Sequence, residues 1–467
     1  MHKRVKVSKR VPFVLNFVCF LVTLYLTLSI PWNPPVWTKL ADPYDYLRQS
    51  QIPLSEREFF FPHKAPPTGR QPINFFPRPI TVPLIYKLAS SDPDVIVQIQ
   101  KYIYCLSGWF LVSALLPFIG SNLVRYFVIL AIYLLLSWWN VLGWSLLLLS
   151  ESLTTSFLLC WIASFLFLLR ERNWFTLAAH ALIIVLFAFT RDPWPYLLLA
   201  FYLMLMLFSL LNARHLFKTA LAFSFLCLVL LAVSTRSAAI GQRRSLPLIN
   251  TIVLRIIPNE QYSRWFAERG LPLVGRLTAE FRGTAWSPDR SAINRDAILR
   301  IYQIYADPEY RVLFQWCNSR GERTYVQFLL THPSFALLFN ESADQLKRIL
   351  VYDTGLPRAA RDYRGYSALA EHIFPVFSLS SLLVLILSCV VLYMKQKREV
   401  LLVPVSLAVL FLINVLLVYN ADALEVERHL YLTVVMIQLL GIIALAFVVD
   451  SGLPLAAVDN RVKARQS

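Results

Sequence analysis

The sequence predicts an all-α polytopic membrane protein of about 10 transmembrane helices, with a mainly helical extracytoplasmic insert. Three observations carry that prediction. The 467 residues are 57% hydrophobic and only 16% charged, with a mean hydropathy of +0.55, where a soluble domain carries about 25% charge. The apolar residues come in blocks close to the ~20 residues that cross a bilayer as a helix. The short segments between those blocks are alternately basic. Together these exclude a soluble globular enzyme, a disordered chain and a secreted disulfide scaffold. The 45 Lys and Arg against 28 Asp and Glu leave +17, which in such a chain points to topology signals and anionic lipid and not to nucleic acid.

The N-terminus reads MHKRVKVSKR and turns apolar over 11–31. The run is long and no small-x-small cleavage site follows it, so it reads as an uncleaved first helix and not a signal peptide. Further runs cover 97–119, 124–143, 153–169, 174–190, 194–212, 217–235, 376–394, 400–419 and 430–449. Helix is the default for each, because lipid offers no partner to an open strand edge. With the basic N-tail inside, the same side receives Arg125, then Arg170 and Arg172, Arg214 and Lys218, Lys395 with Lys397 and Arg398, and the tail residues Arg461, Lys463 and Arg465. The expected arrangement is therefore a multi-pass protein of the cell (plasma or inner) membrane with both termini cytoplasmic.

The outside then holds 32–96, three short segments at 144–152, 191–195 and 420–429, and a long polar, Arg-rich stretch over 236–375. The chain divides into an N-terminal membrane module 1–235, an extracytoplasmic subdomain 236–375, whose stretch NRDAILRIYQIYADPEYRVLFQWC has helical spacing, and C-terminal membrane helices with a basic tail, 376–467. Cys19, Cys105, Cys160, Cys227 and Cys389 lie in apolar runs. Cys317 is alone in its polar region, and no Cys/His pair has zinc-ligand spacing.

Acidic and basic residues concentrate at the outer ends of these spans. ADPYDYLRQS carries Asp42, Asp45 and Arg48 just after the first helix; the bland alternative is a helix N-cap. Glu151, in SLLLLSESLTTSF, is the only acid between Arg125 and Glu171. An ionisable group at membrane depth costs about 3 kcal/mol on insertion scales, which makes function the default reading, with a hydrated loop glutamate as the alternative. FTRDPWPYLL places Arg191 and Asp192 at a helix end, either as an interface anchor or as a phosphate clamp. NADALEVERHLYLTVV packs Asp422, Glu425, Glu427, Arg428 and His429 between two spans, and Asp422, Glu425 and His429 have the spacing of one helical face. Arg78, in FFPRPITVPLIYKL, can reach a lipid phosphate or snorkel to the interface.

ADPYDYL, FFPRPITVPLIYKL, SESLTT, TRDPWPY and EVERH, in this order, resemble the motifs of the GT-C superfamily of polytopic glycosyltransferases, over roughly 10–235 and 376–450. The insert 236–375 carries no part of the resemblance, and the acidic pair usual after the first helix is replaced by two acids three apart. The resemblance implies a GT-C-like fold and inverting transfer of a sugar from a polyprenyl-phosphate-linked donor to a glycan, lipid or protein acceptor at an extracytoplasmic site. It implies Asp42 as general base, since Asp42 to Leu47 resembles a DSxxYL-type start, with Asp45 the alternate. Glu151 would support that base or, as in metal-using members, bind a divalent cation. Arg78, Arg191, Arg428 and His429 would hold the donor phosphate, with Asp192, Asp422 and Glu425 supporting.

The residue types suit that chemistry independently. An attacking hydroxyl needs a carboxylate to take its proton. A phosphate leaving group needs little protonation but does need cationic partners. Two rival readings remain: a transporter or flippase for a lipid-linked or anionic solute, in which buried acids line a route, and an assembly protein whose Arg-rich outer domain binds a partner.

Overall fold

The computed structural model describes residues 11–31, 41–52, 78–212, 214–240, 245–284, 286, 295–337, 369–370, 372–374, 383–388, 390–391, 398–421, 423 and 426–452. Among them every regular element is a helix. Five helices are long and apolar enough to cross a membrane: Val11–Ser29, Pro93–Phe118, Ser150–Arg170, Leu216–Ala239 and His429–Ser451. The chain is thus an α-helical, multi-pass membrane protein by the length and composition of its helices.

In chain order, α1 is Val11–Ser29, α2 Ala41–Gln51, α3 Thr81–Leu88 and α4 Pro93–Leu115. They are followed by α5 (Asn122–Ser137), α6 (Trp139–Leu142), α7 (Ser150–Arg170), α8 (Trp174–Ala188), α9 (Trp194–Asn212) and α10 (Arg214–Ile240). The expected runs at 174–190 and 194–212 appear as shorter apolar helices, Trp174–Ala188 and Trp194–Leu210. The expected span 376–394 falls mostly outside the described residues.

The run 124–143, expected as one straight span, is broken. Asn122–Ser137 and Trp139–Leu146 meet at 61°, with Trp138 in extended conformation between them. Nor is 144–152 a hydrated loop: Trp144 to Ser152 are all buried, and α7 begins at Ser150. The apolar sequence WSLLLL explains the difference, because it gains more from packing than from water.

The helices are joined by local chemistry readable in the chain. Asp92 caps α4, accepting from the amides of Asp94 and Val95, with Pro93 at the first helical position. Asn173 and Thr176 form a capping box on α8. Gly108 on α4 lies so close to Leu136 on α5 that an added Cβ would collide with Leu136 Cδ1, the close approach that small residues allow between membrane helices. Asn16 of α1 donates to Ser113 Oγ at 2.9 Å and accepts from the Tyr133 hydroxyl at 2.9 Å, pinning α1 to α4 and α5.

Cross-links sort the bundle into two ends. At one, Lys101 Nζ donates to the Ile30 carbonyl at 2.7 Å, Thr81 binds the carbonyls of Leu186 and Phe189, and the Tyr431 hydroxyl reaches the Glu151 carbonyl. At the other, Asp450 accepts from the amides of Gly120 and Ser121 at 3.0 and 2.7 Å, offsetting the positive end of α5.

The described part of 245–337 is helical, as expected for the insert. It comprises α11 (Ser245–Thr251), α12 (Glu260–Ala267), α13 (Val274–Phe281), α14 (Arg295–Ala306), α15 (Arg311–Trp316), α16 (Glu322–Thr331) and α17 (Pro333–Ala336). It has its own core of Ile249, Ile252, Phe266, Phe281, Ile301 and Phe328, among others. The chain closes with α18 (Arg398–Ala421) and α19 (Val426–Gly452).

Candidate functional site

Glu151 sits in the first turn of α7, where the helix dipole favours a carboxylate. Its side chain is fully buried. One carboxylate oxygen faces Arg191 Nη1 at 3.5 Å, and the other accepts from Ser150 Oγ at 3.3 Å. Thr154, Thr155 and Ser156 turn their hydroxyls onto carbonyls four residues back, so the polar run SESLTTS is largely satisfied within its own helix. Arg191 lies in the short turn between α8 and α9, ahead of Pro193 and Pro195. A buried carboxylate needs such a partner. Glu151 is therefore a buried ion-paired group, not a loop glutamate in water.

The second pair joins α2 to the start of α3. Arg78 Nη2 lies 3.3 Å from Asp45 Oδ2, and the Arg78 amide donates to Gln49 Oε1 at 2.8 Å. Its guanidinium carbon is 5.4 Å from the centre of the Tyr46 ring, within cation–π range. Asp45 is buried on α2. Lys87 holds the far end of α2 by donating to the carbonyls of Ser50 and Ile52.

Tyr86 of α3 packs on α2 and bonds to α4. Its ring meets Tyr46 edge-on at 6.2 Å, and its hydroxyl donates to Gln100 Oε1 at 3.2 Å. Gln100 in turn donates to the Leu147 carbonyl at 2.9 Å, in the buried segment leading to Glu151. Burial raises the Tyr86 phenol well above its ordinary range, with Tyr46 and the Glu151 carboxylate adding to the effect. On the other side, Trp144 packs on Tyr431 with ring centres 4.9 Å apart, and the Tyr431 hydroxyl donates to the Glu151 carbonyl at 3.3 Å. Among the described residues, the indole N–H groups of Trp138 and Trp144 and the Ser152 hydroxyl are buried with no hydrogen-bond partner, a concentration of such donors around one bend.

The expected residues divide accordingly. Glu151 and Arg191 come together, as do Asp45 and Arg78, although 33 to 40 positions separate the members of each pair. Asp42 lies in the first turn of α2; its side chain is outside the described residues. Asp192 is half-buried beside Arg191, and His429 is half-buried near the start of α19. Asp422, Glu425 and the side chain of Arg428 are outside the described residues, and α19 starts only at Val426.

Sequence reasoning does not single out Tyr46, Tyr86, Gln100, Lys101 or Tyr431. Gln100 and Lys101 do leave a signal: QIQKYIYC interrupts an apolar run with polar groups at membrane depth. Lys101 is fully buried. The tyrosines leave none.

Among the described residues, no three His, Cys, Asp or Glu side chains gather closely enough to hold a metal ion. Glu151 is engaged by a guanidinium instead of a second carboxylate, a poor fit to the oxygen-rich shell of a divalent cation. What the arrangement offers is two guanidinium groups held by carboxylates, with tryptophan donors near by, a setting suited to an oxyanion or a polyol. Comparison with known proteins yields no matching family model, no matching curated relative and no matching solved structure.

Proposed function

We propose that this chain is a GT-C-like membrane glycosyltransferase that moves a sugar, with inversion, from a polyprenyl-phosphate-linked donor to an acceptor at one face of the bilayer. The observation that carries the reading is the pairing of Arg78 with Asp45 and of Arg191 with Glu151 at the same end of an apolar bundle, where Thr81 of α3 bonds the carbonyls of Leu186 and Phe189 just before Arg191. In this reading about ten spans put both termini in the cytoplasm of a cell-membrane protein. The site and the insert then face outward, where a lipid-borne donor is the natural sugar source.

The acceptor hydroxyl loses its proton to a carboxylate as its oxygen attacks the anomeric carbon, and the phosphate departs with the bonding electrons. Asp45 already spends an oxygen on Arg78, and an ion-paired carboxylate is a poorer proton acceptor. Asp42, three residues earlier on the same helix, is the better base. Glu151 holds Arg191, and Arg191 and Arg78, with Arg428 and His429, take the charge that grows on the leaving phosphate. Asp192, Asp422 and Glu425 are supporting.

The test is sugar transfer by membranes supplied with polyprenyl-phosphate sugars. Asp42→Asn, Asp45→Asn and Glu151→Gln, made singly, should each lower the rate, Asp42→Asn most. Full activity in all three would reject the assignment.

One observation favours a second reading. The 61° break between α5 and the segment Trp139–Leu146 resembles the discontinuous helices of transporters. A transporter or flippase would move a labelled lipid phosphate or anionic solute across proteoliposomes, dependent on Glu151 and Arg191 and with no transfer product.

A further inference from the structure

The insert is bound to the end of α18 by side chains that finish that helix. The last carbonyls of a helix have no partner within it, and here the insert supplies them. Arg255 Nη1 donates to the Tyr419 carbonyl at 2.8 Å. The Tyr325 hydroxyl donates to the Asn420 carbonyl at 2.8 Å. Just past the helix, Trp286 Nε1 donates to the Ala423 carbonyl at 2.9 Å. Asn420 returns a bond from its own amide to the Ala336 carbonyl at 3.0 Å.

Arg255 is the centre of this cap. It lies on a single π-helical turn, Ile252–Ile256, a local distortion often found where a side chain must be re-aimed. Its guanidinium carbon sits 4.3 Å from the ring centres of Phe335 and Tyr419 and 4.4 Å from that of Trp286. Two of those rings belong to the insert and one to α18. A cation at a helix C-terminus also meets the negative end of the dipole, so one side chain combines three attractions in a buried place.

α18 in turn packs along α19: Phe411, Val415 and Tyr419 share a buried cluster with Val426, Leu430 and Ile437, and Asn414 donates to Thr433 Oγ1 at 2.6 Å. In the second turn of α19 stands Tyr431, whose hydroxyl reaches the Glu151 carbonyl and whose ring packs on Trp144.

We propose that Arg255 is a positioning residue: by capping α18 from the insert it fixes α18 against α19 and so holds Tyr431 against the backbone of Glu151. Its functional meaning rests on the reading of Glu151 and Arg191 as the site, but its test does not. Amide hydrogen exchange is measured on the full chain in lipid nanodiscs. Arg255→Ala should speed exchange about tenfold in the insert, in 426–434 and in 150–155 alike. Arg255→Lys, which keeps the charge at the helix end but loses the stacked fork, should restore part of the protection. Trp286→Phe removes one indole donor and should give the same pattern more weakly; it decides the matter if Arg255→Ala does not fold.

Faster exchange confined to the insert, with 426–434 and 150–155 unchanged, would overturn the proposal. So would an Arg255→Lys protein as open as Arg255→Ala. If no variant or parent shows sugar transfer, the glycosyltransferase reading fails while the exchange pattern still decides the coupling.

Discussion

Glu151 with Arg191 and Asp45 with Arg78 are the same chemical pair in two different walls. Glu151 is 0% exposed and Arg191 12%, whereas Asp45 is 8% exposed and Arg78 25%. The first pair joins the first turn of the long α7 to the turn between α8 and α9, the second an eleven-residue helix to the segment that enters an eight-residue one. Burial strengthens attraction between charges and raises the cost of leaving either one alone. The deeper pair is therefore suited to hold a fixed guanidinium, while the shallower one is partly screened by water. A third pair, Glu260 with Arg264 on α12, repeats the chemistry in water, at 87% and 71% exposure.

Removing one member of the deepest pair should have the largest effect. Arg191→Met strands the Glu151 carboxylate among apolar walls and should cost about 3–5 kcal/mol, seen as the greatest fall in Tm of the purified protein in nanodiscs. Adding Glu151→Gln should recover most of that loss, because the stranded charge is gone. A double variant no better than Arg191→Met would show that the two side chains do not act as a pair. Asp45→Asn should cost less, about 1–2 kcal/mol, because Arg78 keeps access to water and its amide keeps Gln49. If Asp45→Asn proves as damaging as Arg191→Met, the contrast in burial is not what separates the two sites.

Five of the ten expected spans are legible in the sequence as helices long and apolar enough to cross, because bilayer thickness imposes a length that shows in the run of apolar residues. Glu151 and Arg191 are legible for the opposite reason, as charged residues where charge is costly. Their pairing is not: it depends on how α7 packs beside the turn after α8, and no local pattern encodes that. The bend at Trp138 also escapes, since SWWNVLGW reads as a continuation of an apolar span, and neither Pro nor a pair of small residues marks the break. Gln100 and Lys101 are present in the pattern but absorbed into an apolar run. Tyr86 and Tyr431 are ordinary aromatic residues of a membrane protein until the fold aims their hydroxyls.

A neutral network separates charge from mere polarity in this comparison. Deep between α7, α8 and α9, His180 bonds Tyr202 through Nε2 at 2.5 Å and Ser164 through Nδ1 at 2.7 Å, and Trp161 donates to the same tyrosine at 3.0 Å. Hydrogen bonds between membrane helices average about 0.6 kcal/mol each in double-mutant cycles, so losing both of the Tyr202 bonds in Tyr202→Phe should lower Tm by no more than Asp45→Asn even though Tyr202 is fully buried. A larger loss than Asp45→Asn would mean that depth alone, and not ionic character, sets the penalty.

The smallest effect belongs to the exposed pair. Glu260→Gln removes the carboxylate that Arg264 meets at 3.1 Å, yet both side chains are largely hydrated, and screening by salt leaves such pairs little net stabilisation. The Tm of Glu260→Gln should match that of the parent at physiological salt. A measurable fall would place Glu260 in a contact beyond Arg264, and α12 would then have to be treated as a binding face instead of a solvated helix. Burial is isolated as the variable by setting Glu151→Gln beside Asp45→Asn and Glu260→Gln, which remove the same charge from an arginine–carboxylate pair at three depths, and the loss should rise in the order Glu260, Asp45, Glu151.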